Sequence, residues 1–402
     1  MPEIKPQSLT DNETQRLIQL VQKTQWNYKL EQYETAALQE INKSVLQARR
    51  EINQRLTQIK PGSVFTRERL NVLADEMQDL TVAARAQITG GITQVATSAG
   101  AASYTTHNEI LSFGGLVPHF NPVMLSAAQL HSMVVKTPVG GRLLSEWVDR
   151  TFDNTLKDTI KSEITTGMLK GEGYKSLVKR FDNVAFPPLT RDVEALTRSY
   201  VQSINVQAAQ DVAKANKDIV KGWKWSSVAE NRTCYACMSL DAQQIVYPLG
   251  AGPEMPLHIR CRCFPEIITK TFRELGIDVD EIKEAYRPYT IRGKIDPLTG
   301  KLIPGKIGVG GGKTISTGRF LGSYEDFLKV QSATVQRQIL GPNRYELWKS
   351  GKIKIADLAD KNGKIKLLTE LRGEVSDGVK AERHMLINQV TKPVVNVQKQ
   401  RL

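Results

Sequence analysis

Cys234-Tyr-Ala-Cys237, then twenty residues, then His258-Ile-Arg-Cys261-Arg-Cys263: this stretch holds all four cysteines and one of the five histidines of a 402-residue chain. Two short pairs separated by a loop suit tetrahedral Zn²⁺, because each pair offers two soft donors at one corner and the loop closes the site. Five candidates compete for four places. Cys234, Cys237, His258 and Cys261 use two pairs with x-x spacing and form the favoured set, with Cys263 as the reserve donor. On an extended strand Cys261 and Cys263 point the same way, so a set containing both and omitting His258 also fits. The alternatives to metal are reduced core thiols and, in an oxidising setting, disulfides. One structural zinc is the expectation. A catalytic zinc needs an open position and a placed acid or base, and here good donors crowd one ion. A zinc deaminase would show H-x-E ahead of its P-C-x-x-C, whereas this chain has its C-x-x-C first and no H-x-E. His107, His119, His131 and His384 lie far off in sequence.

Outward from the cluster, the residues around it read as short strands. Trp223 and Trp225 alternate around Lys224, and Gln244 to Tyr247 and Arg262 to Ile268 are β-prone and bounded by Gly or Pro. Upstream the signal is helical. Leu196, Tyr200, Ile204, Ala208 and Val212 share one face of a helix from Asp192 to Asn216. Leu144, Val148, Phe152, Leu156, Ile160, Ile164 and Met168 recur every four residues, which predicts a helix from Gly141 to near Gly171. Thr10 with Glu13 forms a capping box that opens one long helix to Ile59, and Leu38, Ile41, Val45, Ala48, Ile52 and Ile59 follow heptad spacing. A coiled-coil or hairpin seam and an ordinary amphipathic packing both fit that pattern. A second helix from Thr66 toward Ile88 is its natural return stroke. The small-residue tract from Thr89 to Thr106 fits either a closely packed continuation or a loop.

Downstream, Glu281 to Tyr286 and the Pro/Gly-rich run from Pro297 to Gly318 read as a connector. Ser323 with Asp326 starts a helix that Gly341-Pro342 stops, and a second short helix holds Tyr345 to Trp348. Gly308-Val-Gly-Gly-Gly-Lys-Thr314 imitates a phosphate loop, but Ile307 stands where the first Gly belongs, and Ile315-Ser-Thr-Gly318 does not open a helix. The expected fold is mainly α with a small α+β zinc-knuckle module. Long N-terminal helices occupy 1–135 and a core 136–270, with the zinc module at 220–270. A connector at 271–320 and a mixed basic region at 321–402 follow.

The net charge of +13 is local, since residues 291–402 carry 21 basic and 10 acidic side chains, +11 of the total. Such a segment can face duplex DNA or another polyanion. No run of about 18 apolar residues exists, so no membrane span is expected. The N-terminus shows no basic start before an apolar core, which makes a reducing cytosol the default setting.

Gly222-Trp-Lys-Trp-Ser-Ser-Val-Ala-Glu-Asn-Arg-Thr-Cys-Tyr-Ala-Cys-Met-Ser-Leu-Asp241 with Met255-Pro-Leu-His-Ile-Arg-Cys-Arg-Cys263 resembles the Mu F-like minor head proteins of tailed bacteriophages, the broad group of the SPP1-type head morphogenesis proteins. The resemblance covers about residues 137–270. Tyr324-Glu-Asp-Phe-Leu, Gln338-Ile-Leu-Gly-Pro-Asn-Arg344 and Leu347-Trp-Lys-Ser-Gly-Lys-Ile353 are similar to the region that follows the motif in such proteins. Ala242 and Ile259 depart from the family's Gly and Pro without touching a ligand position. The resemblance implies a non-enzymatic internal head protein near the portal vertex of the virion, present in the host cytoplasm during assembly. Its implied partners are the portal protein, a major capsid or scaffolding protein, and duplex DNA met through the basic C-terminal region.

Overall fold

The computed structural model describes residues 41–51, 67–112, 117–152, 186–276, 287–295, 302–304 and 313–372, apart from single positions, with isolated residues elsewhere. The protein is mainly helical, with two small sheets among the described residues. Helix α1 is described over 41–51, and α2 runs Arg67–Leu111. Ile41, Val45 and Ala48 are buried in one cluster with Ala84, Ile88 and Ile92 of α2 and with Trp147, Val193 and Leu196, a packing that both readings of the heptad positions allow. A Cβ on Gly91 would sit 3.2 Å from Ile41, which shows how closely the two helices approach. Leu38 is also helical and buried, while Thr10, Ile52 and Ile59 lie outside the described residues.

The small-residue tract continues α2 as helix. Ala96, Ala99 and Ser103 are completely buried, and a Cβ on Gly100 would fall 2.7 Å from Ile204. Small side chains let α2 lie tightly on α5 (Phe186–Ala215). The hydroxyls of Thr93, Thr97 and Ser103 bond the carbonyls four residues back, so polar atoms inside this contact stay satisfied. Helices α3 (Ala127–Lys136) and α4 (Leu144–Arg150) complete the bundle. Leu144, Trp147, Val148 and Phe152 are buried as their spacing requires; Leu156, Ile160, Ile164 and Met168 lie outside the described residues. Helix α5 buries Leu196, Tyr200, Ile204, Ala208 and Val212 at the centre of the molecule.

The expected β segments form where the composition changes. Strand β1 (Val220–Ser226) is central in an antiparallel sheet, flanked by β3 (Val246–Tyr247) and β4 (Phe264–Thr269). Trp223 stands opposite Tyr247 on one side and Ile267 on the other. Trp223 and Trp225 are 2% and 1% exposed, which makes them core residues and not stacking platforms. Between these strands lie β2 (Ala229–Glu230) and α6 (Tyr235–Gln243).

The span read as a connector holds a second sheet. Strand β5 (Arg287–Ile295) pairs β2 in parallel, and β6 (Leu302–Pro304) and β7 (Lys313–Phe320) antiparallel. Gly and Pro content concealed it, although Pro288, Gly293, Pro304 and Gly318 stand within the strands and Tyr289, Ile291 and Phe320 supply the inward face. Lys313 and Thr314 lie in β7, so no helix opens after the glycine run and a phosphate loop is excluded. Helix α7 (Tyr324–Lys329) starts on the Ser323/Asp326 capping box, and α8 (Ala333–Lys349) kinks at Gly341, where φ is +72°. A 3₁₀ turn (Ile355–Leu358) and α9 (Leu368–Leu371) close the C-terminal unit around Phe327, Ile339, Leu340 and Ile355. Among the described residues no helix is long and apolar enough to cross a membrane.

Candidate metal centre

Each corner of the cluster is built by its own backbone. Cys234 is the N-cap of α6 in extended conformation, and its Sγ accepts the Cys237 N–H at 3.5 Å, so the helix start itself brings the first two sulfurs together. The second corner is the turn His258–Cys261, closed by the Cys261 N–H donating to the His258 carbonyl at 3.0 Å. That turn forces Arg260 to φ +65°. Helix α5 holds it there: the Arg260 N–H donates to Ser199 Oγ at 2.7 Å, and its guanidinium donates to the Arg191 carbonyl at 2.7 Å. Gln202 of α5 donates to the Cys263 carbonyl at 2.7 Å. The central helix is therefore the platform for one half of the cluster and α6 carries the other.

His258 Nδ1 lies 2.8 Å from the Ile259 carbonyl, which can only accept, so the Nδ1 carries hydrogen and the Nε2 lone pair faces the sulfurs. That Nε2 is 3.2 Å from Cys234 Sγ and 3.4 Å from Cys237 Sγ; Cys237 Sγ is 3.9 Å from Cys261 Sγ. Bonds of about 2.3 Å to sulfur and about 2.0 Å to nitrogen give tetrahedral edges of about 3.5–3.8 Å. These three separations are close to such edges, but Cys261 does not share one mutual group with both Cys234 and His258. Two sets of donors lie within 4.8 Å of one another, Cys234 with Cys237 and His258, and Cys237 with Cys261 and Cys263, so Cys237 is the shared donor. The five residues singled out in the sequence fall into these two groups, each of which could hold a metal ion, and the favoured set Cys234, Cys237, His258 and Cys261 spans both.

The charges respond to this crowding. The hydrogen bond with Cys237 holds the Cys234 thiol well below its ordinary value, against burial and with help from His258. Cys261 is lowered by the same kind of bonds to Cys237 and Cys263. Cys237 is pushed up by its bonds to three sulfurs, and Cys263 is pushed up by burial. Burial opposes a charge on His258, yet the neighbouring Cys234 and Cys261 thiolates raise it to about 10. The lowered Cys234 and Cys261 thiols and the raised His258 favour charge separation in this buried space, and binding of a divalent cation would displace the protons and leave the Nε2 lone pair free to bind.

Among the described residues no other histidine joins either donor group. His107 bonds Asn205 at 3.0 Å, His119 takes a turn conformation with φ +62°, and His131 is exposed on α3; His384 lies outside the described residues.

Two acidic residues that single-residue reading gave no role organise the surroundings. Asp241 at the end of α6 is fully buried. It takes the Arg287 guanidinium in a two-point pair at 3.1 and 2.7 Å, and accepts the N–H groups of Ser227 at 2.6 Å and Tyr324 at 2.7 Å. Glu230, 2% exposed, pairs with Arg232 at 2.7 Å and with Arg262, which stands between Cys261 and Cys263. The available signal was the Leu240-Asp241 ending of the quoted run, but its partner Arg287 is 46 positions away.

A cysteine/histidine knuckle seated on a helical bundle is the class of module that these residues define. Residues 158–265 match the family model described as Phage Mu protein F like protein, which places the resemblance on the helix, sheet and cluster just described. The chain carries a Mu F-like segment. No curated protein and no solved structure matches the chain.

Proposed function

We propose that this chain is a structural, non-enzymatic head morphogenesis protein of a tailed bacteriophage, located inside the virion head near the portal vertex and in the host cytoplasm during assembly. It acts there in head assembly and in packaging or retention of DNA. Its partners are the portal protein and a major capsid or scaffolding protein. The observation that carries this reading is a closed donor cluster inside the Mu F-like segment, joined to helices with extensive buried contacts.

One Zn²⁺ is the proposed resident ion, bound by Cys234, Cys237, His258 and Cys261 with Cys263 beside it. Soft sulfurs at this spacing favour zinc over harder cations. Zinc here would cross-link α6 to the turn on α5, and a structural zinc contributes about 10–16 kcal/mol to folding such a small module. Metal analysis of the purified chain should return one zinc per chain, lost on chelation together with tertiary structure; a fully folded chain without metal would refute the ion. Particles lacking this protein should lose infectivity or DNA, and normal particles from a null mutant would sink the head-assembly role.

A second reading, a zinc-stabilised protein that organises packaged DNA or leaves the head with it, is favoured by the concentration of +11 of the net charge in residues 291–402.

A further inference from the structure

Residues 321–372 contain ten Lys and Arg against six Asp and Glu. Each of the six carboxylates is engaged within the unit. Glu325 accepts from the Trp348 indole and the Ile355 N–H, Asp357 from the Lys354 N–H, Asp360 from the Asn362 and Lys364 N–H groups, and Glu370 from the Leu367 N–H. Asp326 and Glu346 pair with Lys329 and Arg337. The acids serve as caps and local pairs, and five exposed lysines are left over.

Lys349, Lys352, Lys354, Lys361 and Lys364 are exposed, and among the described residues none of them has an ion pair. Their outward direction follows from their neighbours. Ile353 and Ile355 alternate with Lys352 and Lys354 and are 5% and 0% exposed, so burying the isoleucines turns the lysines to solvent. Lys361 and Lys364 sit on a tight turn, closed by the Asp360 N–H donating to the Lys364 carbonyl at 3.0 Å and by the Ala359–Ile365 bridge. The turn is fixed to the knuckle module by the Tyr247 hydroxyl donating to the Lys361 carbonyl at 3.2 Å and by Ser239 donating to the Ala356 carbonyl at 2.8 Å.

We propose that this lysine face, within 349–364, is a contact surface for the phosphate backbone of duplex DNA. Unpaired single-sign charge on a firmly held frame releases counterions when it meets phosphates. The intervening apolar side chains are turned inward and offer no pocket for a peptide anchor, so regularly spaced charge is what the face can recognise. The proposal rests on the second reading above and locates its site.

The test is fluorescence anisotropy of a labelled random-sequence duplex with the full chain, titrated from low to physiological NaCl. The wild type should bind with affinity that falls linearly on a log–log plot. The full chain with Lys352→Gln, Lys354→Gln, Lys361→Gln and Lys364→Gln should lose about 0.9 from that slope per contact removed, with an unchanged melting temperature. If the fourfold variant does not fold, the Lys352→Gln, Lys354→Gln pair should show half the effect. Absence of salt-dependent duplex binding by the wild type defeats the DNA reading itself. Binding with a slope the variants leave unchanged overturns the lysine face alone, as does a slope lost instead in the full chain carrying Lys392→Gln, Lys399→Gln and Arg401→Gln. Polyglutamate binding in preference to duplex would also overturn it.

Discussion

Asp192 sits at the start of the buried stretch of α5, beside the turn that carries His258 and Cys261, and shows how a single residue there bears the cost of its surroundings. Burial raises its carboxyl from 3.8 to about 6, with Arg191 and Arg260 pulling the other way. An acid whose folded value is raised destabilises the fold when ionised. The cost is absent below about pH 4, grows as the pH rises to 6, and is fully present above it, amounting to about 3 kcal/mol at most. Asp192→Asn should therefore raise the unfolding free energy at pH 8 by about 1–3 kcal/mol and leave it unchanged at pH 4; denaturant titrations giving equal differences at both pH values would contradict this. Gly222 is a steric counterpart. A Cβ there would stand 2.3 Å from the Tyr247 carbonyl oxygen, so Gly222→Ala should cost about 1–3 kcal/mol by forcing β3 away from β1. Equal melting temperatures for Gly222→Ala and wild type would show that the strand gives way freely. Among the donors, Cys234→Ser should abolish zinc retention while Cys263→Ser retains it. Metal content after dialysis separates these outcomes, and zinc kept by the Cys234 variant would shift the ligand set toward Cys261 and Cys263.

At the scale of elements, α6 faces two ways. Its first turn supplies Cys234 and Cys237. Its other positions hold the C-terminal unit: the Tyr235 hydroxyl donates to the Leu340 carbonyl at 3.1 Å, Ser239 accepts the Ala359 N–H at 2.9 Å, and Gln243 donates to the Ala359 carbonyl at 2.9 Å. The Arg344 guanidinium lies over the Tyr235 ring, 4.8 Å from its centre. Anything that loosens the first turn of α6 should loosen these contacts as well. Chelation of the full chain is thus expected to raise hydrogen exchange in α8 and in residues 355–360 along with α6, while α2 and α5 stay protected. Exchange confined to residues 234–263 would show that the two faces are independent.

For the whole molecule, the decisive joint is Asp241 with Arg287, which ties the knuckle module to the second sheet through a buried two-point ion pair. Removing one member of such a pair leaves the other charge buried alone, at a cost of about 3–5 kcal/mol. Asp241→Asn should lower the melting temperature by several degrees more than an exposed control such as Asp218→Asn, and equal shifts would show that the joint carries no special weight. The helical bundle of α1, α2 and α5 has a separate buried cluster from that of the C-terminal unit, so loss of the joint should affect the C-terminal unit first.

Much of this protein was determined by its sequence alone, because the relevant physics is local. Period-four apolar spacing at Leu196 to Val212 produced a buried helix, alternation around Lys224 produced a strand, and two close-spaced donor pairs produced a Cys/His cluster, each from residues within one element or one turn. Tertiary structure decided the rest. The tract from Thr89 to Thr106 is helix because Gly100 and its small neighbours let α5 approach, and propensity carries no record of that partner. Residues 302–304 and 313–320 belong to a sheet because both pair with β5, which itself pairs with β2 about 60 residues earlier. Asp241 matters because Arg287 reaches it. Contacts between residues far apart in the chain fix which small residues pack, which turns join strands and which charges are buried, and these contacts exist only once the elements have assembled.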